Sequence, residues 1–278
     1  YNNVLLDLDL IFQNYEFWCK ILVSTKYQVD FENVTQKYLK MVRRRYIMKV
    51  FLCGGGSGEV VKESMLKFGS LIDKNKPLLY LPLAMETERY AGCLEWIKKE
   101  LSIIGVSNID MVTSGKELYN KNLNDYCAIF IGGGNTYRLL KEIKDSNSFD
   151  KISDFIKNDG IVFGGSAGAI IFGKDINSCK SQDLNTVCLT DTCGFNILSG
   201  YSLLCHLNRN DGVKFNRDKN SEYLMHFSKN NKVLYIPDDD TIFINDKDVT
   251  FIGDSEYRIY YNNKFIVKKP SSSKIDLD

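Results

Sequence analysis

The stretch Gly160-Ile161-Val162-Phe163-Gly164-Gly165-Ser166-Ala167-Gly168-Ala169-Ile170-Ile171 limits this chain more than any other part of it. Its β-branched and aromatic start, Ile161 to Phe163, favours a strand. The chain then turns within Gly164-x-Ser166-x-Gly168, and small, apolar residues follow that can open a helix. This is the layout of a nucleophile elbow, in which a serine is held on a tight strand-to-helix turn. The positions two before and two after the serine must be nearly free of side chain so that neighbouring backbone can pass close by. A glycine-rich turn before a buried helix uses the same residues in many α/β proteins, so the surrounding sequence has to decide between the two.

From Met48 onward strand-like and helix-like stretches alternate. Strands are expected at 50–53, 78–83, 109–112 and 127–131, and helices at 59–72 and 88–104. Short apolar strands separated by helical stretches imply crossover units and a mostly parallel sheet covered on both faces. Ser166 then falls at the carboxyl end of a central strand, where open α/β sheets bind ligands. Beyond the elbow, 200–206 and 233–236 read as strands and 221–229 as a helix. Residues 241–244, 249–252, 258–261 and 265–267 read as a short antiparallel C-terminal strand region. The expected fold class is therefore α/β: three layers, with helices on both faces of a mostly parallel sheet.

Charge and cysteine usage narrow the function classes. A formal net charge of +1 over 278 residues gives no electrostatic ground for nucleic acid or an acidic membrane surface. No apolar run reaches the roughly 18 residues that a bilayer requires, and no basic-then-apolar leader is apparent, so the expected location is cytoplasmic. Of the eight cysteines, Cys53 and Cys127 lie inside apolar strand-like runs, where a free thiol acts as a small hydrophobe. With no C-x-x-C pair and two histidines in the chain, a zinc site is not expected.

Two glycine loops flank the expected sheet edge. Gly54-Gly55-Gly56-Ser57-Gly58-Glu59 fails the dinucleotide spacing, because the third glycine of Gly-x-Gly-x-x-Gly falls at Glu59, and it reads as a tight turn close to the site. Gly132-Gly133-Gly134-Asn135-Thr136 lies between a strand and a helical stretch, where consecutive glycines let backbone N–H groups face an oxyanion. Asn135 or Thr136 also suits the cap of that helix. A serine needs a base to take its proton, and histidine is the usual one. His226 lies in the helical run Tyr223 to Phe227, whereas His206 ends an apolar strand, so His206 is the expected base. The orienting acid stays open at this level between Asp238, which closes the following strand, and Asp183 or Asp191, which lie between serine and histidine.

Gly132-Gly133-Gly134-Asn135-Thr136-Tyr137-Arg138-Leu139-Leu140, followed by Gly164-Gly165-Ser166-Ala167-Gly168-Ala169, resembles the peptidase E family of serine peptidases, which includes aspartyl dipeptidases and is related to cyanophycinases. The resemblance covers roughly 48–267. It implies a flavodoxin-like fold similar to class I glutamine amidotransferases, with serine in place of their cysteine. It further implies Ser166 as nucleophile, the N–H groups of Gly134 and Ala167 as oxyanion hole, His206 as base, and Asp238 as acid where the family carries Pro-Glu. Leu204-Cys205 stand before His206 where the peptidase E branch has Asn-Pro. Asn135 and Arg217 are candidate substrate-binding residues, Arg217 because an N-terminal aspartate calls for a cation.

The implied activity is hydrolysis of short peptides, with no metal or cofactor, by a monomer or homodimer. Two other readings use the same fold: an amidotransferase-like ammonia donor, which would want a thiol at the elbow, and a catalytically silent binding protein. The peptidase domain is expected over 48–269. Residues 1–47 read as a helical extension without catalytic residues, and 270–278 as a polar tail.

Overall fold

The computed structural model describes residues 47–212 and 214–270. The expected extension over 1–47 and the tail over 270–278 lie, but for their bordering residues 47 and 270, outside the described residues. In chain order the strands and helices are β1 Lys49–Cys53, α1 Lys62–Gly69, β2 Leu78–Leu81, α2 Tyr90–Ser102, β3 Ile109–Met111, α3 Gly115–Asn120, β4 Ala128–Ile131, α4 Thr136–Asp145, α5 Ser148–Lys157, β5 Ile161–Gly165, α6 Ala167–Ile170, β6 Tyr201–Leu204, α7 Arg217–Phe227, β7 Lys232–Tyr235, β8 Thr241–Asn245, β9 Asp248–Ile252, β10 Tyr257–Tyr261 and β11 Lys264–Lys268. The helices expected at 59–72 and 88–104 each begin with a 3-10 turn, Gly58–Val61 and Thr87–Arg89.

Among the described residues the strands form two sheets, one of seven strands in the order β3-β2-β4-β5-β1-β8-β9 and one of four in the order β11-β10-β7-β6. From β3 to β1 the larger sheet is parallel. Strand alternation sorts its side chains onto two faces. Val50, Leu52, Leu79, Leu81, Ile129, Ile131 and Val162 pack into one core with α4 and α5. Phe51, Cys53, Leu78, Tyr80, Phe130 and Phe163 pack into the other with Met65 and Phe68 of α1 and Ile97 and Leu101 of α2. Because both faces are covered, the strands read as continuous apolar runs rather than alternating ones. On the α1 and α2 face, Phe130, Phe163, Phe51 and Phe243 stack in register across four neighbouring strands with centroids 4.9, 5.8 and 4.4 Å apart, a geometry favourable for aromatic rings.

The C-terminal strands do not form one antiparallel region. β8 and β9 extend the large sheet antiparallel beyond β1. β10 instead pairs antiparallel with β7, which itself runs parallel to β6, and β11 pairs antiparallel with β10 at the edge of the smaller sheet. The chain therefore crosses from one sheet to the other between β7 and β8, through Asp238-Asp239-Asp240. This crossing positions the site.

Candidate active site

Ser166 follows β5, the middle strand of the larger sheet, and sits at φ 53° and ψ −114°, where a residue with a side chain is strained. Its N–H donates to the Cys53 carbonyl at 3.0 Å, and its own carbonyl accepts from Ala169 and Ile170, which starts α6. The flanking glycines allow the turn: a Cβ on Gly164 would meet the Gly168 carbonyl oxygen at 2.2 Å, and one on Gly168 would meet that of Ile131 at 2.2 Å. The elbow inferred from the sequence is thus present, with its serine on the strained position.

His206 lies just past β6 in the left-handed region, at φ 72°. The Ser166 Oγ is 2.7 Å from its Nε2, and the Asp238 Oδ1 is 2.5 Å from its Nδ1. The carboxylate can only accept, so Nδ1 carries the proton and Nε2 is left to accept from the serine hydroxyl, an assignment that follows from the hydrogen-bond network. His206 is 5 % exposed. Phe215 meets its ring edge-on at 4.5 Å between centroids, which shields the imidazole on that side. The Asp238 N–H donates to Asn208 Oδ1 at 2.9 Å, and Arg209 Nε lies 3.5 Å from Asp238 Oδ2, so the acid is held at both ends. Asn208 and Phe215 had no sequence signal, being single polar and aromatic residues in a loop.

Asp183 and Asp191 are elsewhere. Asp183 accepts from the N–H and hydroxyl of Thr136 at 2.9 and 2.7 Å and pairs with Lys214 at 2.8 Å, which fixes the start of α4. Asp191 pairs with Lys144 at 2.6 Å. His226 is exposed on α7. Asn135 caps α4 by accepting from the Arg138 N–H, and its amide donates to the Leu184 carbonyl at 2.8 Å, so both ends of this candidate substrate ligand serve the loop itself. Arg217 opens α7 and pairs with Asp218 at 3.6 Å; among the described residues no hydrogen bond or ion pair joins it to Ser166, His206 or Asp238.

The first glycine loop turns out to be part of the site. Gly54 and Gly56 donate to the carbonyls of Asp240 and Asp238 at 3.0 and 2.9 Å, which straps the acid's turn to the end of β1. In the second loop, a Cβ on Gly133 would come 3.2 Å from that of Ser166, so this loop passes directly over the serine. The N–H of Ala167, first in α6, has no intrahelical acceptor, and the Gly134 N–H makes no backbone hydrogen bond among the described residues. Burial favours the protonated form of the thiols beside the site, pushing Cys53 up to about 11 and driving Cys205 well above its ordinary value. Among the described residues, no group of three or more His, Cys, Asp or Glu side chains is placed to hold a metal, and no helix is long and apolar enough to cross a membrane.

The profile of Peptidase family S51 matches residues 50–252, which contain the elbow, both glycine loops, His206 and Asp238. The chain belongs to peptidase family S51. It is 32 % identical over 111 residues to peptidase E of Haemophilus influenzae, a match that spans 40 % of this chain and only half of that protein. An uncharacterized peptidase of Listeria innocua is 26 % identical over 177 residues, 61 % of this chain and 84 % of its own. A peptidase E protein crystal structure from Listeria monocytogenes superposes with a TM-score of 0.61 at 25 % identity, covering 75 % of this chain and 100 % of that one. A peptidase from an acI-B1 Actinobacterium shares the fold, with a TM-score of 0.63 at 18 % identity over 82 % of this chain and 97 % of that one. The chain thus has the flavodoxin-like α/β fold expected from its sequence.

The Asp240 carboxyl is fully buried in the sheet crossing; its Oδ1 accepts from the Ser255 N–H at 3.3 Å, while Oδ2 has no hydrogen-bond partner among the described residues. Burial, with Asp239 and Asp254 nearby, pushes its pKa up to about 7 from the ordinary 3.8. The folded state therefore keeps a proton that the unfolded chain releases between these values. Its contribution to stability is present in full below about pH 4 and is lost as pH rises through 7. Asp240→Asn is expected to flatten this slope and to stabilise the protein at pH 8 by a few kcal/mol, read from urea unfolding at pH 4, 6 and 8.

Proposed function

We propose that this chain is a serine-type peptidase that hydrolyses short peptides by acyl transfer to water. The observation that carries this reading is the continuous chain from Ser166 Oγ through His206 to Asp238, with links of 2.7 and 2.5 Å. His206 takes the serine proton as Oγ attacks the peptide carbonyl, and Asp238 stabilises the imidazolium that results. The N–H groups of Gly134 and Ala167 receive the tetrahedral oxyanion. His206 then protonates the leaving amine, and water repeats the sequence on the acyl-enzyme. Serine at the elbow, together with the raised pKa values of Cys53 and Cys205, argues against a thiol-dependent ammonia donor.

A fluorophosphonate probe tests the reading directly. The unmodified protein is expected to label at Ser166 and to hydrolyse dipeptides; absence of both would make it a silent member of the fold.

A preference for N-terminal aspartate is the finer part of the proposal. Phe215, two residues before Arg217, packs against His206, so the start of α7 follows directly on the loop that covers the base. Arginine can bind a carboxylate through two parallel hydrogen bonds. Arg217→Ala is expected to lower kcat/KM roughly ten-fold more for Asp-Leu than for Ala-Leu. Equal rates on the two substrates with the unmodified protein would remove the aspartyl preference and leave the serine mechanism standing.

A further inference from the structure

On the α2 side of the Gly133–Gly134 loop lies a cavity of about 570 Å³ that the catalytic chemistry leaves unused. Its size falls within the range of roughly 300–1,000 Å³ found for sites that take small organic ligands. Tyr80, Met85, Cys93 and Trp96 form its wall, and Glu88 and Arg89 stand at its edge. Trp96 packs on Phe130 with ring centroids 6.0 Å apart and yet keeps 37 % of its surface exposed, so part of the indole stays open beside the cavity. The polar groups of the wall are neutral at physiological pH, since burial raises the pKa values of both Tyr80 and Cys93. The charges of Glu88 and Arg89 cancel, which leaves no net pull on a charged side chain.

The cavity also abuts the reacting serine, because Gly133 and Gly134 line it and Gly133 passes over Ser166. A peptide whose scissile carbonyl sits at Ser166 therefore has one flanking residue within reach of the cavity. We propose that this cavity receives a large apolar side chain, aromatic ones best, of the residue next to the scissile bond. The proposal rests on the serine-peptidase reading for its substrate class, and it deepens that reading by naming what one subsite selects.

Gly92 allows a test that spares the fold. It lines the cavity from α2, and a Cβ built on it meets nothing within 4 Å, so a larger residue there grows into open space. Replacing a helical glycine also favours the helix. Binding is measured by calorimetry on the Ser166→Ala background with Asp-Phe against Asp-Gly and Phe-Ala against Gly-Ala. In at least one pair the Phe peptide is expected to bind roughly 10- to 100-fold more tightly, the range for burying an apolar side chain of this size. Gly92→Leu is expected to reduce that ratio to near one, with an unchanged or higher Tm. Failure of Phe to be preferred in either pair, or a preference that survives Gly92→Leu, would overturn the proposal. A protein that binds the Phe peptides selectively but neither labels nor hydrolyses would sink the peptidase mechanism alone, so the two failures are distinguishable.

Discussion

Ser166→Ala is expected to lower turnover by about 10⁴- to 10⁶-fold while circular dichroism and Tm stay close to those of the unmodified protein. The substitution takes away one hydroxyl, and with it the hydrogen bond to His206 Nε2. The backbone bonds that hold the elbow, from Ser166 N–H to Cys53 and from Ala169 and Ile170 to Ser166, remain. His206→Ala should fall almost as far, since an unassisted serine is a weak nucleophile, and combining the two should add little because they act as a unit. His226→Ala, on the exposed face of α7, serves as the control and should keep full activity. A dead His226→Ala with an active His206→Ala would transfer the base to the other histidine and dissolve the proposed chain.

The second large effect is expected from Gly55→Ala, a one-carbon change in a residue that takes no part in the chemistry. Gly55 sits at φ +122°, a backbone conformation that an alanine adopts only under strain. Its added Cβ would lie 2.2 Å from His206 Cε1 and 2.8 Å from Nδ1, closer than any non-bonded approach allows. The imidazole must move, and the serine and aspartate on its two sides cannot both follow. A displacement of about 1 Å at a reacting group is worth on the order of 100-fold in rate, so kcat should fall at least that far. Fluorophosphonate labelling should fall with it, and backbone strain should lower stability by roughly 1–3 kcal/mol. Full labelling in a stable Gly55→Ala protein would show that the loop yields to the ring, and that Gly55 is not what holds the base in place.

Much of this architecture is written locally. The elbow is legible because its requirements fall within twelve consecutive residues: a β-branched strand, two glycines at fixed offsets and a small-residue helix start. The parallel sheet is legible for a similar reason, since strands buried on both faces must be apolar at every position, as Phe51 and Leu52 are on opposite faces of β1. The short helix starts, by contrast, were set by tertiary packing: Val61 and Tyr90 are buried where the 3-10 turns pass into α1 and α2.

What the sequence could not decide was the acid. Asp183, Asp191 and Asp238 are chemically alike and differ only in where long-range pairing puts them. That pairing is the parallel match of β6 with β7, which sets Leu204 beside Tyr235 and continues as Ile236 N–H to Leu204 and Leu207 N–H to Ile236, each 3.0 Å. Parallel strands end side by side, so the residues just beyond them, His206 and Asp238, arrive at the same edge. The first glycine loop then ties that edge to β1 of the other sheet, next to the serine. None of these pairings leaves a local trace in the sequence, because backbone hydrogen bonds between strands carry no residue code of their own. The sequence alone therefore determined the serine, its strained turn and the layered fold around it, while only the tertiary structure decided which carboxylate stands behind the histidine.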